Sequence, residues 1–129
     1  PHLEGESLDT LLGRSVGSVI ATPTGGNVDK WRRLITLGVN IVFVDREIDE
    51  LPGVDVVAIN NELSAETATQ HMLGLGHERI AFVSGPLSTS TGRDRVAGFR
   101  KAMAAAGTEV DERLIHAIPF RGDSIRRSL

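Results

Sequence analysis

His71-Met72-Leu73-Gly74-Leu75-Gly76-His77-Glu78-Arg79-Ile80-Ala81-Phe82-Val83-Ser84-Gly85-Pro86 holds the end of a helix, a turn and a whole strand. Gly76 follows the last helix-spaced residue, Leu75, at the position where a left-handed stop belongs. Ile80 to Val83 is then apolar at every position until Ser84-Gly85-Pro86 ends it. A strand that does not alternate predicts cover on both faces, which is the habit of parallel sheets. The same alternation of helix and continuous strand extends outward in both directions. Downstream, the polar loop Leu87 to Gly92 leads into a helix to about Ala106, with Val96, Phe99 and Met103 on one face, and then a strand at Leu114 to Ile118. Upstream, Ser64 is a plausible N-cap for a helix running to about Leu75, with Ala65, Ala68, Met72 and Leu75 near one stripe. Before that come strands at Val54 to Ile59, Ile41 to Val44 and Val16 to Ala21. A helix lies at Val28 to Leu37, ended by Gly38, and Leu8, Leu11 and Leu12 stand at helical spacing. Strand–helix alternation of this kind is an α/β fold.

Composition narrows the functional classes. The 129 residues carry a net charge of −3, so no basic surplus supports nucleic-acid binding by this stretch itself. With no cysteine, disulfides, thiolate catalysis and cysteine-based zinc sites are excluded. No apolar run approaches the ~20 residues of a membrane span, and no signal peptide is visible. The chain opens on Pro1 and closes on Ser128-Leu129 without a cap, which we read as two cut ends of a longer protein whose sheet is left unfinished.

In open α/β sheets, ligands lie at the carboxyl ends of the strands. Here those ends are Thr22, Asp45, Asn60 and Ser84-Gly85, all polar. The loop from Gly85 to Gly92 holds four consecutive hydroxyl residues, Ser88-Thr89-Ser90-Thr91, and Arg95 is expected in the first turn of the helix that follows. Hydroxyls, helix N-terminal amides and a guanidinium fork suit a ligand with many oxygens. A capped helix with a solvated arginine fits the spacing as well. Asp45 has two readings: acceptor for ligand hydroxyls, or cap of the loop Arg46-Glu47. No Gly-Lys-Ser/Thr phosphate loop, Gly-x-Gly-x-x-Gly fingerprint or Gly-x-Ser-x-Gly elbow is present. The histidines at 2, 71, 77 and 116 are scattered without metal-ligand spacing. A binding protein with no catalytic residues, no metal and no cofactor is expected rather than an enzyme.

Several of these stretches, in order, resemble the lactose-repressor (LacI/GalR) family. Residues 71–86 are similar to its "hL-x-x-lGHrrIafi-x-Gp" segment, and Arg95-Val96-Ala97-Gly98-Phe99-Arg100-Lys101-Ala102 to its "R-x-x-Gf-x-x-Al" helix. Val42 to Arg46 resembles "vvfvDR", Val54 to Asn61 resembles "v-x-x-V-x-x-DN", and Val16 to Ile20 resembles "vDGvI". The departures are Gly17-Ser18 for Asp-Gly, Asn60 for Asp and Ser64 for Gly.

The resemblance implies a periplasmic-binding-protein-like α/β core, with parallel sheets flanked by helices in two subdomains around a cleft. Residues 1–59 would be the latter part of the first subdomain and 60–129 the start of the second, with the crossover at Asn60-Asn61. It further implies the effector-sensing domain of a cytoplasmic bacterial transcriptional repressor, with no membrane association. A sugar or sugar-like effector would bind in the cleft, and operator DNA would be bound by a helix-turn-helix domain absent from this stretch, in a homodimer. Carried over by position, Arg95 matches the effector-binding arginine, Asp45 an acidic cleft residue, Thr22 a cleft-lining strand end, and Ser88 and Thr91 the effector-touching loop. A sugar-binding protein of a periplasmic transport system shares the fold and is the alternative; a helix-turn-helix or a signal peptide upstream would separate the two.

Overall fold

The computed structural model describes residues 2–118. The chain divides into two compact units, Pro1–Ala58 and Ile59–Leu129.

The first unit begins with helix α1 (His2–Leu12), followed by strand β1 (Ser18–Ala21), helix α2 (Val28–Thr36), strand β2 (Asn40–Val44) and strand β3 (Asp55–Val57). The strands lie in the order β1-β2-β3 and all pair in parallel, Val19 opposite Ile41 and Phe43 opposite Val56. Leu8 of α1 and Trp31 and Leu34 of α2 share one buried cluster with Ile41 and Phe43 of β2 and Ile48 and Leu51 of the following loop. Trp31 meets Phe43 edge to face, ring centroids 5.0 Å apart. Such pairs contribute about 0.5–1.5 kcal/mol beyond the area they bury. Gly38 has φ +81°, so the stop after α2 takes the left-handed turn expected of it.

The second unit contains helix α3 (Asn61–Gly74), strand β4 (Phe82–Ser84), helix α4 (Ser90–Ala105), a 3-10 turn (Glu112–Leu114) and strand β5 (Ile115–Ala117). β4 and β5 pair in parallel. Val96, Phe99 and Met103 of α4 are buried, as the spacing predicts, Ala102 is buried beside them, and Phe82 stacks on Phe99 at 4.9 Å. The α3–α4 contact is made backbone to backbone. A Cβ on Gly98 would stand 2.0 Å from the Glu62 carbonyl oxygen, so only glycine admits this approach.

Three local expectations are corrected. Ser64 does not cap α3; Asn60 does, its side chain accepting from the Leu63 N–H at 2.8 Å, while the Ser64 hydroxyl bonds back to the Asn60 carbonyl within the helix. The buried stripe of α3 is Asn61, Ala65 and Thr69, whereas Ala68, Met72 and Leu75 are exposed. The Gly98 contact at Glu62 and Glu66 turns the 61/65/69 face inward, so of the predicted stripe Ala65 is buried while the other three fall on the outer side. Cover on both sheet faces is also not found among the described residues of the first unit. β2 alternates, with Ile41 and Phe43 buried, and Ile20 of β1 is 77% exposed. The strands are parallel as read, but α1 and α2 contribute their apolar residues to one shared cluster, leaving Ile20 outside it.

Candidate functional site

In the first unit, the loop after β1 is held by a side chain that arrives from α1. Thr22 is exposed directly after β1, and Pro23 behind it is buried. The loop that follows is anchored by Glu4 of α1. Its carboxylate accepts from the Thr24 N–H (2.9 Å), the Thr24 hydroxyl (2.6 Å) and the Asn27 side-chain amide (2.7 Å). Asn27 enters α2 with φ 56°, a left-handed value that asparagine tolerates. No pattern in the sequence marks Glu4, because its partners lie twenty or more residues away.

Asp45 ends β2 with φ 76°. A left-handed residue other than glycine costs roughly 1–2 kcal/mol, and two contacts hold this one in place. Its N–H donates to the Val57 carbonyl at 3.0 Å, and its carboxylate oxygen Oδ2 accepts from Arg46 Nε at 3.1 Å and Nη2 at 2.7 Å. The acid pairs with the neighbouring guanidinium of that loop, and Oδ1 has no partner among the described residues. That oxygen is able to accept from a hydroxyl.

In the second unit, β4 delivers the chain to the hydroxyl loop and α4 begins at Ser90, earlier than the predicted loop would allow. Thr89 is the N-cap. Its hydroxyl donates to the Pro86 carbonyl (2.8 Å) and accepts from the Gly92 N–H (3.2 Å). With that single proton committed to Pro86, the Thr91 hydroxyl must be the donor of the 3.3 Å bond between the two threonines. Thr89, Ser90 and Thr91 are all buried, and Ser88 alone of the four is exposed. The expected rim of four alcohols is therefore one exposed serine above three inward-turned hydroxyls. Thr91 stands as a support of the loop. Gly92 is required here, since a Cβ would come within 2.3 Å of the Pro86 carbonyl oxygen.

Because α4 starts at Ser90, Arg95 falls in its second turn, not its first. It is exposed, and its Nε donates to Asn61 Oδ1 at 2.8 Å. Asn60 and Asn61, expected at a chain crossing, thus have two distinct tasks: Asn60 caps α3, and Asn61, 4% exposed, holds Arg95.

None of these residues lines a hollow of about 460 Å³ in the first unit, which is walled by Ile35, Asn40, Val42, Pro52 and Asp55. That hollow lies at the amino ends of β2 and β3, opposite Thr22 and Asp45. The chemistry-bearing side chains mark the carboxyl ends instead.

Residues 2–119 match the family described as periplasmic binding proteins and the sugar-binding domain of the LacI family. The chain belongs to the LacI family. This LacI-family chain is 32% identical over 125 residues to the maltose regulon regulatory protein MalI of Escherichia coli K12, covering 93% of the chain and 33% of MalI. It is 38% identical over 84 residues to the HTH-type transcriptional regulator DegA of Bacillus subtilis 168, covering 65% of the chain and 25% of DegA. Among solved structures, a complex of the transcriptional regulator CelR with cellobiose is similar over 96% of the chain and 38% of CelR, at 32% identity and a TM-score of 0.79. The chain spans about a third of the length of the curated relatives that it matches over most of its own length. The fold is periplasmic-binding-protein-like, with parallel sheets flanked by helices. These relatives are transcriptional regulators rather than enzymes. No helix among the described residues is long and apolar enough to cross a membrane.

Proposed function

We propose that this chain is part of the effector-sensing domain of a bacterial DNA-binding repressor, and that its effector is a small sugar or sugar derivative. The observation that carries the reading is the Arg95 guanidinium. It is exposed and fixed through Nε, and its two terminal amino groups have no partner among the described residues. A planar fork held in this way can donate to two adjacent hydroxyl oxygens at once. Asp45 Oδ1 and the exposed Thr22 and Ser88 hydroxyls are the further ligand contacts of this reading, and Thr91 braces the loop that carries Ser88. The cellobiose complex of the relative CelR supports a carbohydrate ligand. Effector binding between the two subdomains of a cytoplasmic homodimer would change the affinity of helix-turn-helix domains, outside this stretch, for operator DNA. Control of this kind requires only that the effector bind one conformation better than the other.

The test is calorimetric titration of the full-length protein with cellobiose, maltose, ribose and related sugars, followed by operator binding with and without the sugar that binds. Wild type should bind one sugar, and Arg95→Ala should lose at least about tenfold in affinity, because a charged hydrogen-bond donor is removed. Equal binding by wild type and Arg95→Ala would refute the site.

A further inference from the structure

Asn61 lies at the first position of α3 and Arg95 in the second turn of α4, 34 residues later in the chain. The bond between them is made by the side chain that is buried and from the side chain that is exposed. We propose that Asn61 is a positioning residue for ligand recognition, fixing the plane and direction of the Arg95 guanidinium before ligand arrives. The proposal rests on the reading of Arg95 given above and adds what makes that arginine effective.

Three observations carry it. First, the geometry selects one nitrogen. Asn61 Oδ1 takes the Nε–H at 2.8 Å, and the acceptor is used on the edge of the guanidinium that a ligand does not need. Both terminal amino groups remain available as a two-pronged donor. An arginine free to rotate about its side-chain bonds would lose that freedom on binding, at a cost to affinity; a guanidinium already held loses less.

Second, Asn61 is itself held. Its Nδ2 donates to the Ile59 carbonyl at 3.3 Å, and the residue is 4% exposed beneath the helix pair. The amide donor contact to Ile59 settles which end of the side chain faces Arg95. The separation of the two helices is set by Gly98, one turn beyond Arg95, where α4 touches the backbone of α3 at Glu62. Lys101 spans the same two helices, reaching Glu66 at 2.9 Å and Glu62 at 3.3 Å.

Third, the acceptor is neutral. A carboxylate at this place would form an ion pair with Arg95 and draw its charge inward. The amide oxygen fixes direction while leaving the full positive charge of the fork for ligand oxygens.

The experiment uses the full-length protein and the sugar panel already described, with Asn61→Ala, Asn61→Asp, Arg95→Ala, Arg95→Lys and the double variant Asn61→Ala/Arg95→Lys. Affinity for the sugar that wild type binds should fall about three- to tenfold in Asn61→Ala, the loss expected for one hydrogen bond. Asn61→Asp keeps an oxygen for Nε but pairs with the charge of the fork, so it should keep slow Nε–H exchange while recovering only part of the affinity. In the Arg95→Lys background, which has no Nε, adding Asn61→Ala should change affinity by less than about twofold, since the effects of the two sites are then coupled rather than additive. A second readout needs no ligand. The Arg95 Nε–H resonance, identified by its absence in Arg95→Lys, should exchange slowly with solvent in wild type and fast in Asn61→Ala.

The outcomes separate the two claims. If Arg95→Ala abolishes binding while Asn61→Ala binds as wild type does, the positioning role is overturned and the sugar site stands. If Asn61→Ala weakens binding equally in the Arg95→Lys background, Asn61 acts only on the fold and the proposal fails. Should no sugar bind, or should Arg95→Ala bind normally, the reading of the site falls and the positioning role with it. Loss of folding in Asn61→Ala would be seen by circular dichroism. In that case Asn61→Asp decides alone: slow Nε–H exchange with affinity reduced by no more than about tenfold supports the proposal, and slow exchange lost with affinity unchanged overturns it.

Discussion

Replacing Gly98 by alanine sets two effects of opposite sign against each other. In a solvent-exposed helix interior, alanine is favoured over glycine by about 0.8–1.0 kcal/mol. At position 98, however, the new Cβ would lie 2.0 Å from the Glu62 carbonyl oxygen and 2.9 Å from the Glu66 nitrogen. The first distance is more than 1 Å short of ordinary van der Waals contact, and the second about 0.5 Å short. Both neighbours are helix backbone and cannot turn aside, so α3 and α4 must separate. Forcing an added group into a packed contact costs typically about 1–3 kcal/mol, occasionally more, which exceeds the propensity gain over most of that range. Both clashes are with backbone, which puts position 98 in the upper part of that range, about 2–3 kcal/mol, and leaves a net destabilisation of about 1–2 kcal/mol. Separation of the helices would also lengthen the Asn61–Arg95 bond, so sugar affinity should fall with stability. The measurement is urea denaturation of the full-length protein followed by circular dichroism, with Gly74→Ala as control. Gly74 also lies in a helix, but a Cβ there would meet nothing within 4 Å. The same chemical change should be neutral or stabilising at 74 and harmful at 98. A Gly98→Ala protein as stable as wild type, with the control behaving as stated, would refute the close-contact argument.

Phe43 is fully buried against Trp31, so Phe43→Ala should cost about 3–5 kcal/mol by calorimetry. Thr89→Ala removes the N-cap of α4 and should cost about 1 kcal/mol, while Thr89→Ser should stay close to wild type in the same assay. The Glu112 carboxyl lies below its usual value because Arg100 hydrogen-bonds to it. A lowered carboxyl pKa contributes stability above the unfolded value, about 4.5, and loses it as pH falls through the folded value. The stability difference between wild type and Glu112→Gln should therefore shrink in acid unfolding curves below about pH 4.5; a difference that grows there would contradict the pairing.

The α/β class, the parallel strands, the glycine stop at Gly38 and the buried face of α4 were legible from one sequence. Each depends on residues that are neighbours along the chain: an unbroken apolar run, a glycine after the last helical turn, or side chains at helical spacing. Thr22, Asp45 and Ser88 were legible for the same reason, as polar residues that follow strands, whereas Arg95 stands one turn later in its helix than the spacing predicts. What each side chain does was not. Thr91 reads like Ser88 in sequence, but the cap made by Thr89 turns it inward. Asn61 reads as part of a crossing, and only the packing of α4 on α3 at Gly98 brings Arg95 to its amide oxygen. Glu4 gives no local sign of its hold on Thr24 and Asn27, because a side-chain hydrogen bond across twenty residues leaves no periodicity behind. Local spacing decides where helices and strands form; which polar groups are then left exposed is decided by contacts between elements distant in sequence.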